Sequence, residues 1–182
     1  MSKKILAVVG SPRKGGNSDG LVDAVLEGAA AGGAETEKIY LYDLNIGHCR
    51  ECLYCHHAEP KTCAIKDDMA GLAEKMIMAD VLVFGTPIFW WGPSGAFKDF
   101  VDRWYGYPLD FLDKKIVLAY ASGDSAPEVA QWLVGMMEES VAYEGGKLFA
   151  QLHAGGTDAP GDVWKFDSLV EEAKQIGAKC VD

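Results

Sequence analysis

The sequence has no apolar run long enough to cross a membrane, and it has few basic residues. A spanning helix needs roughly 20 consecutive apolar residues, whereas the first apolar run, which follows Lys3 and Lys4, ends at Gly10. Lys and Arg number 17 against 27 Asp and Glu, which gives a net charge of −10 over 182 residues. A nucleic-acid binder needs a dense basic face that this composition lacks. We therefore expect a cytoplasmic protein with no membrane and no nucleic-acid partner.

Three common enzyme signatures are also missing. The segment Gly10-Ser11-Pro12 lacks the Gly-x-Ser-x-Gly form of a hydrolase nucleophile elbow. The loop that begins there does not end in Gly-Lys-Ser or Gly-Lys-Thr, as a Walker loop does, and it lacks the three spaced glycines of the dinucleotide fingerprint. The sequence therefore disfavours a hydrolase and fits neither phosphate-binding fingerprint.

What the chain does contain is an alternation of short β-rich apolar runs with longer helical patterns. This alternation predicts one α/β domain over residues 1–182, with a parallel sheet covered on both faces. The second and fifth runs are less apolar, as edge strands would be, which favours strand order 2-1-3-4-5 and a ligand crevice between the first and third strands. The predicted strands are Ile5–Val9, Lys38–Tyr42, Val81–Phe84, Ile116–Tyr120 and Lys147–Leu152. The predicted helices are Asp19–Ala31, Asp67–Ala79, Gly95–Trp104, Pro127–Tyr143 and Val163–Gly177.

The loop after the first strand has the chemistry of a phosphate site. Small residues allow backbone amides to converge on an anion at the positive end of the helix that Asp19 opens. The side chains that add hydrogen-bond donors or positive charge are Ser11, Arg13, Lys14, Asn17 and Ser18. A plainer interpretation stays open, in which the loop is a tight turn with Asn17 or Ser18 as the helix N-cap.

Two further loops follow the third and fourth strands. Pro87 ends the third strand and Gly92-Pro93 keeps the next segment out of a helix, so we expect the amides in between to be free of ladder hydrogen bonds. The aromatic run 89–91 in this loop offers flat surface for a ring, or covers the core or a subunit contact. The loop 122–125 after the fourth strand is by spacing alone a turn with an N-cap.

These three loops, GSPRKGGNS, GTPIFWWGPSGAFKDFVDRW and ASGDS, resemble the FMN-contacting loops of the flavodoxin-like NADPH-dependent FMN reductase family. The match spans nearly the whole chain. The resemblance implies a flavodoxin-like three-layer sandwich with FMN as cofactor, chemistry at the flavin and no catalytic side chain. It implies that the FMN phosphate contacts Ser11, Arg13, Asn17 and Ser18. It also implies that the flavin ring contacts Pro87, Ile88, Phe89, Trp90, Trp91, Ser122, Gly123 and Asp124.

Cysteine is sparse except in one loop, at about residues 47–66, with the sequence HCRECLYCHHAEPKTC. Cys49, Cys52 and Cys55 are separated by two residues each, Cys63 follows, and Cys180 lies apart. Thiolates at this spacing can converge on a 4Fe-4S cluster, whereas four-thiolate zinc sites usually join two distant knuckles. The motif resembles that of the iron–sulfur flavoprotein branch of the same family, which implies a cluster. Zinc, or thiols that hold nothing, stay open.

These features predict an FMN-dependent oxidoreductase that exchanges electrons between FMN, a 4Fe-4S cluster and a redox partner. One alternative is an NAD(P)H-dependent FMN or quinone reductase without a cluster, and another is a passive flavodoxin-like carrier. The expected donor is NAD(P)H or a ferredoxin-like carrier, and the expected acceptor is a quinone or another small molecule.

Two predictions concern the surface. Exposed aromatic area around Trp90, Trp91, Trp104 and Tyr105 predicts a homodimer or homotetramer. The charged residues Lys98, Asp99, Asp102 and Arg103 stand at helical spacings and predict a solvated, salt-bridged helix face.

We expect His153, at the end of the fifth strand, to be structural or exposed rather than a proton donor.

Overall fold

The computed structural model describes residues 2–182 as a five-stranded parallel sheet with six α-helices. The predicted domain boundary at Met1 lies outside the described residues. The strands are β1 (Lys4–Val9), β2 (Glu35–Tyr40), β3 (Val81–Pro87), β4 (Lys115–Ser122) and β5 (Leu148–Gly155). The helices are α1 (Asn17–Ala31), α2 (Tyr54–His57), α3 (Met69–Met78), α4 (Gly95–Asp102), α5 (Gln131–Tyr143) and α6 (Asp167–Val181). Within residues 2–182, no helix is both long and apolar enough to span a membrane.

The sheet has the order β2-β1-β3-β4-β5, as predicted. Because side chains alternate between the two faces of a strand, the central strands supply two core layers. Leu6 and Phe84 face the layer that holds α3, α4 and α5. Ile5 and Val83 face the layer that holds α1 and α6. The predicted flavodoxin-like three-layer fold is confirmed.

Helices α1 and α6 cover one face together, and two glycines allow their backbones to touch. A Cβ on Gly28 would lie 1.9 Å from the carbonyl oxygen of Lys174. A Cβ on Gly177 would lie 2.0 Å from the carbonyl oxygen of Val25. Any larger residue at either position would force the two helices apart, and α1 carries the first loop of the site on its amino-terminal end.

Several element boundaries differ from the predicted ones. Strand β2 begins at Glu35 instead of Lys38, because an exposed edge strand needs no continuous apolar run. The helix predicted over Val163–Gly177 is a 3₁₀ turn at Asp162–Lys165 followed by α6. Phe166 separates the two, since its ψ of 69° is outside the helical region.

The helix predicted over Pro127–Tyr143 is likewise divided, into a 3₁₀ turn at Pro127–Ala130 and α5. Helix α1 begins at Asn17, two residues before the predicted start at Asp19. Its N-cap is Gly16, and no side chain caps it. The plainer interpretation of this loop, with Asn17 or Ser18 as the cap, is therefore wrong. The short helix α2 lies inside the cysteine-rich loop, where none was predicted.

Candidate functional site

A cleft of about 230 Å³ lies where the carboxyl ends of the parallel strands meet. We call it the strand-end cleft. The predicted residues that line it are Ser11, Arg13, Asn17, Ser18, Pro87, Ile88, Phe89, Ser122 and Gly123. Trp90, Trp91 and Asp124 lie outside this lining. The fold thus brings the three predicted loops together at the point where the strand order reverses between β1 and β3.

The first loop presents the open amino-terminal turn of α1 to this cleft. The amides of Asn17, Ser18 and Asp19 have no hydrogen-bond partner among residues 2–182. Ser11 Oγ accepts from the Arg13 amide and donates to the Arg13 carbonyl, both at 3.1 Å, so it shapes the loop itself. Ser18 is 2% exposed, and its hydroxyl has no partner within the same described range. Free amides at the positive end of a helix form an anion site.

A buried carboxylate supports this loop from below. Asp19 is 1% exposed and accepts from the Gly15 amide at 2.7 Å, the Tyr40 hydroxyl at 3.0 Å and Lys38 Nζ at 2.9 Å. Burial alone would lower the pKa of Lys38, but hydrogen bonds with Asp23, Tyr40 and Asp19 outweigh it and raise that pKa. Lys38 therefore stays charged and neutralises Asp19 beside the anion site.

The second loop differs in part from the prediction that its amides are free of ladder hydrogen bonds. The Ile88 amide donates to the Ala121 carbonyl at 2.8 Å, and the Phe89 amide donates to the Gly92 carbonyl at 2.8 Å. A tight turn therefore closes between Phe89 and Gly92. Only the amides of Trp90 and Trp91 in this run lack a partner within residues 2–182. Both tryptophans have positive φ, 53° and 64°, and Trp90 is 90% exposed.

The third loop is fixed by a histidine that the sequence did not connect with it. Ser122 Oγ donates to the Asp124 carbonyl at 2.6 Å and lies 2.7 Å from His153 Nε2. Since a hydroxyl carries one hydrogen, the imidazole must donate in the second contact, which places a proton on Nε2. Burial lowers the pKa of His153. His153 is thus a structural donor, and its ring stacks on Tyr120.

A fourth loop, after β5, completes the cleft and was missed from the sequence. Thr157, Asp158 and Pro160 line the cleft with the predicted residues. Asn17 joins this loop to α1, because its side-chain amide donates to the Ala159 carbonyl at 3.0 Å and its side-chain oxygen accepts from the Val163 amide at 3.1 Å. The glycine pair 155–156 at the end of β5 was the available signal, since the loops after adjacent parallel strands share one edge.

A second cavity, of about 160 Å³, lies beside the cysteine-rich loop. We call it the cysteine cavity. Its lining includes the predicted metal ligands Cys49, Cys52, Cys55 and Cys63. The five cysteines of the described chain are all free thiols, and Cys180 is buried in α6. Within residues 2–182, no three His, Cys, Asp or Glu side chains converge closely enough to hold a single metal ion.

Two predictions about α4 and its end are wrong. Arg103 is 1% exposed and buried against Asp67, so it does not belong to a solvated face, although Lys98 and Asp102 form an exposed pair as expected. Trp104 is 3% exposed and packs against Phe84 in the core, so it adds nothing to the exposed aromatic surface. Helical spacing shows that residues share a face and does not show which chain segment covers that face.

Comparison with known proteins adds a family to this geometry. The family model described as NADPH-dependent FMN reductase matches residues 3–143. An iron-sulfur flavoprotein of Methanocaldococcus jannaschii is 31% identical, over 98% of this chain and 96% of its own. A Bacillus subtilis protein provisionally named an NAD(P)H-dependent FMN-containing oxidoreductase is 29% identical, over 95% of this chain and 96% of its own.

Among solved structures, an NAD(P)H:quinone oxidoreductase from Methanothermobacter marburgensis has a TM-score of 0.79 over 98% of this chain and 96% of its own. Its sequence is 19% identical, so this likeness concerns the fold alone. The family assignment comes instead from the family model, which covers most of the chain, and from the M. jannaschii relative, which aligns along nearly all of it. The chain belongs to the NADPH-dependent FMN reductase family and is a flavin-dependent oxidoreductase.

Proposed function

We propose that the protein holds FMN in the strand-end cleft and a 4Fe-4S cluster in the cysteine cavity. In this proposal the electrons come from NAD(P)H or a reduced carrier. They pass through FMN and the cluster to a small acceptor such as a quinone. The observation that carries the FMN part of the proposal is the uncapped first turn of α1, which opens into a cleft bounded by the loops after β1, β3 and β4. A buried helix end without partners is costly unless a ligand satisfies it.

The cleft fits the phosphate of FMN. The amides of Asn17, Ser18 and Asp19 and the Ser18 hydroxyl are donors without partners within residues 2–182. Arg13 adds a positive charge at the same edge, where its guanidinium donates to the Asp158 carbonyl at 3.4 Å. Ser11 and Asn17 hold the backbone around this position. A dianionic phosphate at the amino-terminal end of α1 is therefore favoured by both hydrogen bonds and the helix dipole.

The second loop fits the polar edge of the flavin ring. The unpartnered amides of Trp90 and Trp91 would donate there, and the tight turn between Phe89 and Gly92 holds them in place. When bound, FMN supplies hydride and single-electron chemistry that no side chain of this protein offers. The residues of the protein bind FMN and orient it. The proposed ring contacts are Pro87, Ile88, Phe89, Trp90, Trp91, Ser122, Gly123 and Asp124.

The donor set of the cysteine cavity fits an iron–sulfur cluster better than a single ion. Four thiols of one loop line the same space, and a cubane needs ligands spread around a volume rather than gathered about one point. Arg103 lines this cavity as well, and its Nε is buried without a partner among residues 2–182. A buried donor of this kind is satisfied when an acceptor such as sulfur is present. The name of the M. jannaschii relative supports the same assignment.

A second candidate is an NAD(P)H-dependent FMN or quinone reductase whose cysteines hold nothing. The observation that favours it is that no three metal-binding side chains converge within residues 2–182. The name of the B. subtilis relative mentions FMN and no iron, which supports the same candidate. Both candidates share the strand-end cleft and differ only in the cysteine cavity.

The visible spectrum of anaerobically purified protein separates them. Flavin bands at about 370 and 450 nm are expected from both, and a broad shoulder at about 400 nm from the cluster protein alone. Turnover of NADPH with a quinone then measures the oxidoreductase activity. A colourless protein that binds no added FMN would overturn the proposal as a whole.

A further inference from the structure

One buried ion pair closes the cysteine-rich loop. Arg103 follows the last turn of α4, and its side chain is 1% exposed, while that of Asp67 is 4% exposed. The contact is bidentate, with Nη1 at 2.7 Å from Asp67 Oδ2 and Nη2 at 3.1 Å from Asp67 Oδ1. Such a fork fixes orientation as well as distance.

The pair holds the two ends of the loop at one place. Arg103 Nη1 donates to the Gly47 carbonyl at 2.8 Å, and the Gly47 amide donates to Asp67 Oδ2 at 2.8 Å. Arg103 Nη2 is 3.5 Å from the Ile65 carbonyl. Gly47 lies two residues before Cys49, and Ile65 lies two residues after Cys63. The chain that enters the cysteine run and the chain that leaves it are therefore joined through one guanidinium.

The segment after α4 also contacts Cys63, the last cysteine of the cysteine-rich loop. Gly106 lies in the 3₁₀ turn that follows Arg103, and a Cβ on it would come 3.1 Å from the Cβ of Cys63. The Ile65 amide donates to Cys63 Sγ at 3.5 Å. Arg103 itself lines the cysteine cavity. The loop is thus pressed against the end of α4 at its fourth thiol.

The opposite end of α4 is fixed to the strand-end cleft. Ser94 caps the helix, accepts from the Phe97 amide and donates to the Gly10 carbonyl at 2.5 Å. Gly10 begins the first loop of that cleft. The eight-residue α4 therefore spans from one site to the other, with a hydrogen-bonded side chain at each end.

We propose that Arg103 is a positioning residue for the metal-ligand cysteines. With Asp67, it holds the ends of the loop together so that the four thiols face one cavity before any metal arrives. This inference rests on the proposed cluster function of that cavity. Each partner of the pair is needed, because either residue alone would leave a buried charge without its counter-charge.

The test compares a double variant of this ion pair with a single variant of α4. Arg103→Met alone would leave the Asp67 carboxylate buried without a counter-charge, and that protein could misfold. The main variant is therefore the double change Arg103→Met with Asp67→Asn, which leaves no unpaired charge. Lys98→Met is the matched control, since it removes an exposed cation from the same helix. FMN titration reports whether each variant is folded, and the double variant is expected to bind FMN within about twofold of wild type.

Two measurements report on the thiols. First, metal-free protein is titrated with Cd²⁺, a thiolate-seeking probe, and the affinity of the double variant should fall about tenfold or more, as for other residues that orient metal ligands. Second, protein reconstituted anaerobically with iron and sulfide is exposed to a chelator, and the variant should lose iron about tenfold faster. Lys98→Met should match wild type in both.

The outcomes separate the two claims. If wild type takes up no iron but only the double variant loses Cd²⁺ affinity, the cluster function fails and the positioning role stands. If wild type holds a cluster and the double variant keeps both its Cd²⁺ affinity and its iron-release rate, the positioning role of Arg103 is overturned. Loss of FMN from the double variant together with the thiol effects also overturns it, because Arg103 would then only maintain the fold.

Discussion

Ser18 has the side chain of the first loop that is free to bond a ligand. Its hydroxyl has no partner among residues 2–182, whereas the Ser11 and Asn17 side chains already bond within the protein. A hydrogen bond to a charged group is worth about 1.5–3 kcal/mol, so Ser18→Ala should weaken FMN by about tenfold to a hundredfold. Fluorescence titration measures this.

The matched control for Ser18→Ala is Ser168→Ala, in the second position of α6 as Ser18 is in α1. Ser168 is exposed and does not line the cleft, so its substitution should leave FMN affinity unchanged. If the two variants bind FMN with equal affinity, the FMN phosphate does not bind at the amino-terminal turn of α1.

His153 gives the molecule a pH dependence of defined sign. Burial holds the pKa of His153 below its ordinary value of 6.5, so the unfolded chain binds the proton more readily. The stability contributed by the neutral ring is therefore complete above about pH 6.5 and declines as the pH falls through the lower folded-state pKa. His153→Gln keeps an N–H donor for Ser122 and should remove this part of the decline.

Denaturant unfolding of wild type and His153→Gln at pH 7.5 and at pH 5 checks that prediction. Wild type should lose more stability than the variant between the two values. An equal loss in both proteins would show that His153 keeps its ordinary pKa in the fold.

At the residue scale, the sequence predicted which chemical contacts a residue could make, but it did not predict which residues are buried. Small, hydroxylated and basic residues after a strand identified the first loop, because that chemistry is local. The burial of Arg103 could not be predicted, since the residues that cover it, Gly47, Ile65 and Asp67, lie 36 to 56 positions earlier in the chain. The donor role of His153 was missed for a similar reason, because its partner lies on the neighbouring strand.

The tight turn at Phe89–Gly92 is an element held in an uncommon conformation. Trp90 and Trp91 both lie in the left-handed region, which costs roughly 1–2 kcal/mol for an ordinary residue and less for Asn. Trp90 is 90% exposed, so its substitution changes little packing. We expect Trp90→Val to be less stable than Trp90→Asn by about 1 kcal/mol, because a β-branched side chain fits this region worst.

Thermal or denaturant unfolding measures the Trp90 difference, and Trp132 supplies the control. Trp132 is 66% exposed in α5, and Val and Asn have similar preferences in a helix. Trp132→Val and Trp132→Asn should therefore be equally stable. If the Trp90 pair is also equal, the turn is not left-handed in solution.

At the element scale, the central strands were predicted well and the irregular pieces were not. Buried strands such as β1 and β4 are continuous apolar runs, which sequence shows directly. Strand β2 and the 3₁₀ turn at Asp162–Lys165 depend on neighbours for their conformation, so their limits were misplaced. The loop after β5 joined the cleft only because the sheet order brings it beside the loop after β4.

At the scale of the whole molecule, the two sites are separate in sequence and are bridged by α4. The cleft loops and the cysteine cavity share no lining residue. We therefore expect Cys52→Ala to abolish cluster assembly while FMN binding stays within about twofold of wild type. Cys180→Ala is the control, since burial raises the pKa of this thiol to about 11 and it lies in α6, away from the loop.

Anaerobic reconstitution followed by absorbance and FMN titration measures the Cys52→Ala effect. Loss of FMN together with the cluster would show that the two sites are not independent.

The most direct test of the central claim is the content of iron, acid-labile sulfide and FMN in protein purified without oxygen. Four thiolates on one cubane predict about four irons and four sulfides per chain, beside one FMN. Iron near zero after anaerobic reconstitution, with FMN bound and NAD(P)H-driven quinone reduction intact, would contradict the cluster assignment and leave a flavin reductase without iron.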